Sequence, residues 1–162
     1  MSVPSIPEDF PTQPVLARLG ALQWLLLALV SMMVLHLMAP MARVVPRAWF
    51  WGGAALAFLG LLLSNVASVR MRRAGTPLEI DRAPTLLLTD GVFALSRNPI
   101  YLGMLMLLAG EALMLGTLGA LLPWPVMLLV LHLGFVRTEE QRLQALFGER
   151  YATYLRRARR WL

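Results

Sequence analysis

IYLGMLMLLAGEALMLGTLGALLPWPVMLLVLHLGFV, residues 100 to 136, is an apolar tract of 37 residues with one formal charge, Glu111. A single helix of that length would measure about 55 Å, nearly twice the roughly 30 Å hydrocarbon core of a bilayer. Gly116, Gly119, Pro123 and Pro125 interrupt it near the middle. The tract therefore reads as a hairpin of two short membrane helices, 100–117 and 119–136, each marginal in length for a span.

Two further charge-free stretches precede it. Residues 19–39 carry only Gln23, Ser31 and His36 among apolar side chains, and 48–69 follow after a connection built on Pro40, Arg43, Pro46 and Arg47. Small residues recur in the second stretch at Gly53, Ala57, Gly60, Ser64 and Ala67, the spacing that lets another helix approach where lipid supplies no hydrophobic drive. Residues 1–18, with four prolines, read as an extramembrane arm lacking the basic start of a signal peptide. Residues 70–98 read as a long polar loop and 137–162 as an amphipathic tail, with Leu143, Leu146, Phe147, Tyr151, Tyr154 and Leu155 at helical spacing and Gly148 as a break. The fold expected for residues 1–162 is thus all-α, a single polytopic membrane domain of four transmembrane helices plus a C-terminal amphipathic helix.

Charge sets the orientation. Every one of the 15 basic residues is an arginine, against 9 acids. Four spans put 13 arginines on the face that holds both termini and the 70–98 loop, and leave Arg43 and Arg47 on the other. Three spans would divide them 6 against 9. The positive-inside rule favours the former, with both termini cytoplasmic, as in a bacterial inner membrane. Apolar residues make up 58% of the chain and charged ones 15%, which excludes a small water-soluble globule. Arginines beside long apolar runs suit anionic lipid head groups, not nucleic acid. Without cysteine, thiolate metal sites and cysteine nucleophiles are absent as well.

Few residues are equipped for chemistry. In Ser96-Arg97-Asn98-Pro99, asparagine suits an N-cap and proline a first helical position, so a helix begins at Pro99. Its free amides, with Arg97, offer a place for a carboxylate or phosphate; a capped helix beside a lipid-facing arginine has the same sequence. Glu139 and Glu140, just past the last span, would favour a cationic partner, or would pair with Arg142 and Arg137 across a helical turn. Glu111 lies within a span, where it is expected to be neutral or hydrogen-bonded between helices. His36 and His132 lie in separate spans without a nearby carboxylate, so no metal site is expected.

Taken in order, Arg73-Ala74-Gly75-Thr76, Leu88-Thr89-Asp90-Gly91-Val92-Phe93, Ser96 to Gly103, Gly110, Glu139-Glu140, Leu143, Phe147-Gly148, Tyr151 and Tyr154 resemble the isoprenylcysteine carboxyl methyltransferase and phospholipid methyltransferase superfamily. The resemblance covers about residues 70 to 157. It implies an integral-membrane methyltransferase using S-adenosylmethionine on a hydrophobic acceptor, with carboxylate, amine and thiol acceptors all open. It further implies a cofactor pocket of Gly91, Arg97, Asn98, Pro99, Tyr101 and Gly103, faced by Glu139 and Glu140 and closed by Tyr151 and Tyr154, with Arg97 and Glu140 nearest the chemistry. The eukaryotic prenylcysteine enzymes usually carry histidine where this chain has Asn98. A non-catalytic membrane module that binds lipid or a partner protein through its arginines, and a reductase of the sterol type, are the competing readings.

Overall fold

The computed structural model describes residues 15–76 and 86–162; the arm before Val15 and the middle of the 70–98 loop lie outside them. The described chain is all-helical. Helix α1 spans Ala21–Met38, α2 Phe50–Arg73, α3 Pro99–Leu115, α4 Leu118–Phe147 and α5 Glu149–Arg157. Helices α1, α2 and α4 are long and apolar enough to cross a membrane, and α3, at 17 residues, is the shorter fourth.

Helix α3 is the central element. One side meets α2 through the small-residue stripe, backbone against backbone: a β-carbon at Gly60 would lie 2.5 Å from the Gly103 carbonyl oxygen, and one at Gly53 2.6 Å from that of Gly110. The Ser64 hydroxyl donates to the Ile100 carbonyl at 2.9 Å. On the other side Leu105, Leu108 and Ala112 join Leu25, Ala28 and Met32 of α1 and Met127, Val130, Leu131 and Phe135 of α4 in the main core. With neighbours on both sides, α3 has no polar face, as its sequence shows.

Several boundaries differ from the sequence reading. Val15–Arg18 forms a 3-10 turn where a non-helical arm was expected; its Leu16 carbonyl accepts from the Trp24 indole at 2.7 Å. Helix α2 continues past 69 to Arg73, because arginines are good helix formers and nothing in the chain stops the helix before Gly75, which has φ +68°. The hairpin turns at Gly116, in the left-handed conformation. Pro123 and Pro125 fall inside the early turns of α4, and the Gly116 carbonyl accepts the amides of Val44 and Val45 at 2.9 and 3.1 Å.

The larger correction concerns the tail. Helix α4 does not stop at Val136 but runs 30 residues to Phe147. Its charge-free part, 118–136, measures about 28 Å, near the thickness of a hydrocarbon core, and Arg137–Phe147 continues it as a charged end. Within it Leu131–Val136 is wound as a π-helix. The chain then breaks at Gly148, φ +49°, as expected. The apolar face of α5 is covered mainly by protein: Tyr151, Tyr154 and Ala158 are buried with Leu87, Leu143 and Phe147, while Leu155 stays exposed.

Candidate active site

The polar site forms where the segment before α3 meets the projecting end of α4 and the chain after α5. Proline at 99 drives Asn98 out of the helical region, to φ −126° and ψ 56°. The helix begins at Pro99 as expected, and the Asn98 carbonyl accepts from Leu102 at 2.9 Å. Its side chain makes no capping bond. Asn98 Nδ2 donates instead to the Arg160 carbonyl at 3.0 Å, joined there by the Ser96 hydroxyl at 3.2 Å.

Glu140 takes neither Arg137 nor Arg142. Arg97 Nη2 lies 3.1 Å from its Oε1, and Arg160 grips both of its oxygens, Nε to Oε1 at 3.0 Å and Nη2 to Oε2 at 2.6 Å. The Arg97 and Glu140 side chains are 12% and 14% exposed, so this charge-assisted network is largely withdrawn from water. Glu139, about 100° around the helix, lies near enough to Tyr101 for the phenol to favour its charged form. Burial raises its pKa to about 7, with the charge of Glu140 adding and Tyr101 and Arg142 opposing.

The two tyrosines have different surroundings. Tyr154 donates to the Phe93 carbonyl at 2.6 Å, and burial pushes its phenol up to about 12. Tyr151 is almost wholly buried and its pKa is raised by burial and then by Glu140, yet its hydroxyl has no partner among the described residues. Arg97 Nε is likewise buried and unpartnered among them. A cavity of about 50 Å³ borders the cluster, lined by Met71, Thr76, Leu88, Arg97, Glu139 and Tyr154 among others.

Of the residues expected at the site, Arg97, Asn98, Glu140 and Tyr151 come together around Arg160, Glu139 and Tyr154 line the cavity, and Tyr101 packs on the main core beside Phe135. Pro99 is buried beneath them. Two glycines lie elsewhere. Gly103 is sealed against Gly60 and Ser64 of α2. Gly91, φ +59°, leaves room for Arg70, which binds the Asp90 carbonyl and carboxylate at 3.0 and 2.7 Å. Sequence reasoning missed Arg160 and Ser96. The one available signal was Ala158, four residues after Tyr154, which extends the buried face of α5 toward the arginines beyond it.

An all-helical chain with apolar, membrane-length helices and a charged, half-enclosed cluster at one end defines a polytopic membrane protein with a polar site at its boundary. This chain belongs to the phospholipid methyltransferase family, whose model matches residues 48–150. The match takes in α2, α3, α4, Arg97 and both glutamates, and ends just before Tyr151. Comparison with curated proteins and with solved structures gives no match. Membership makes the chain a methyltransferase directed at lipid-related substrates, in keeping with an integral-membrane protein.

Proposed function

We propose that the cluster binds S-adenosylmethionine and that the chain moves its methyl group to a nucleophile on a membrane-partitioned acceptor. The observation that carries this reading is the pair of buried donors without acceptors, Arg97 Nε and the Tyr151 hydroxyl. Buried polar groups are nearly always satisfied, so two orphaned donors beside one carboxylate support an anionic ligand group such as an α-carboxylate. Glu140 and Glu139 supply negative charge for a cationic ligand. The bound donor would contribute an activated methyl group on a positively charged sulfur.

The chain's own residues then divide the work. Arg97 and Tyr151 orient the anionic end, and Glu140, held between two guanidinium groups, fixes Arg97. That leaves Glu139, at the cavity wall, as the carboxylate with capacity to take a proton. Exposed Arg156, Arg157 and Arg159 support an interfacial seat on anionic lipid, and the division of 13 arginines against two supports four spans with both termini in the cytoplasm.

Tyr151→Phe tests the site cleanly, because the lost hydroxyl has no partner among the described residues. The variant should unfold at the wild-type temperature, yet titration with S-adenosylmethionine should show binding weakened by about five- to tenfold. Equal affinity would remove the site assignment. The pH dependence tests Glu139. A base must be deprotonated to act, so transfer to an amine or thiol should rise with pH through about 7 and lose that limb in Glu139→Gln. Tyr101 lowers the pKa of Glu139, so Tyr101→Phe should move the limb to higher pH. A rate that is flat across this range would show that Glu139 takes no proton.

A further inference from the structure

The groups best suited to a zwitterionic ligand are, in the folded chain, met by one short piece of the chain itself. Beyond α5, Arg159 pairs in parallel with Ser96 as an isolated bridge. The Arg97 amide donates to the Arg159 carbonyl at 2.9 Å. The Ser96 hydroxyl and Asn98 Nδ2 converge on the Arg160 carbonyl at 3.2 and 3.0 Å. The guanidinium of the same Arg160 covers both oxygens of Glu140. Two carbonyl oxygens thus engage the donors suited to a carboxylate, and one cation engages the acceptor suited to an ammonium.

We propose that Arg159–Arg160 is a built-in surrogate for the amino-acid end of S-adenosylmethionine, which keeps the site closed until the cofactor displaces Arg160 from Glu140. This rests on the proposed methyl-donor function and adds its regulation.

Three features favour displacement over a fixed structural bond. The Arg160 side chain is 39% exposed, against 14% for Glu140 and 12% for Arg97, so the plug is the partner that water can reach. The adjoining cavity, about 50 Å³ and half-open, already borders Arg97 and Glu139 beside the plug. The segment is also pinned on both sides, by Ala158 buried with Tyr151 and Tyr154 and by Trp161 packed on the main core. Release of the two residues between these anchors would open the site without unfolding α5.

The test uses the full chain in lipid nanodiscs, titrated with S-adenosylmethionine. Arg160→Met keeps the side-chain stem and removes the guanidinium. It should bind about tenfold more tightly than wild type, since the ligand no longer competes with a bidentate charged pair, and should associate faster. Arg160→Lys, with a point charge in place of the fork, should fall between the two. A chain ending at Ala158 should gain at least as much as Arg160→Met, and if it fails to fold the point variants decide. Unchanged or weaker binding by a folded Arg160→Met protein overturns the surrogate role and makes Arg160 a builder of the site. Failure of wild type and variants alike to bind would overturn the methyl-donor reading, and the surrogate with it.

Discussion

Glu140→Ala is expected to destabilise the protein by roughly 2–4 kcal/mol and to abolish cofactor binding. Among the described residues its carboxylate is the one that faces both Arg97 and Arg160. Removing it leaves two guanidinium groups in proximity with no shared counter-charge, one of them nearly buried. The cost of breaking such a network falls mainly on the uncompensated buried charge. Arg160 contributes less to this loss because its exposed side chain can turn to water. Thermal unfolding in one detergent should show the drop for Glu140→Ala and partial recovery in the double variant Arg97→Met, Glu140→Ala, where the buried cation is gone as well. Additive losses in that cycle would mean that the pair carries no coupling, and that the burial of Arg97 has another cause.

Gly103→Val should be about as damaging, by a route that involves no charge. A β-carbon at 103 would collide with the Ser64 hydroxyl oxygen and the Gly60 carbonyl, and the latter is backbone that no rotamer change can move. Helices α2 and α3 would have to separate along their whole seam, placing the cost at or above the upper end of the roughly 1–3 kcal/mol usual for overpacking. The same separation would loosen Ser64 from Ile100, and with it the start of α3 that carries Arg97 and Asn98. Gly148→Ala is the natural comparison. A β-carbon there meets nothing within 4 Å, so only the backbone, φ +49° and ψ −122°, opposes the change, at about 1–3 kcal/mol. Unfolding temperatures that fail to separate the two variants would contradict the account of the α2–α3 contact.

Much of this architecture is legible in the residues. The glycines and prolines of 100–136 announce the hairpin, because a tract too long for one span must turn where its helix propensity is lowest. The small-residue stripe of α2 announces a close helix partner, and Asn98-Pro99 marks where α3 starts. Other features depend on contacts that spacing does not encode. The change from apolar to charged residues at 136–137 reads as a helix end, yet backbone hydrogen bonding is indifferent to side-chain polarity and α4 runs through it. The tail holds five arginines between 150 and 160, and which of them reaches Glu140 depends on how α5 docks. Adjacent glutamates separate around a helix by geometry alone, but the group that stands opposite each, Tyr101 or two guanidinium groups, is decided by tertiary packing.

The π-wound stretch Leu131–Val136 makes residue count, as distinct from residue identity, a constraint on this enzyme. Such a stretch accommodates one residue more than an α-helical path would, and each residue turns the remainder of the helix by about 100°. Deleting one position there should let the helix close to an α-helical path with Glu139 and Glu140 near their present phase, whereas a deletion in the α-wound turns on either side would swing both a quarter-turn or more off their partners. Tolerance to a one-residue gap should therefore be confined to this short segment of α4.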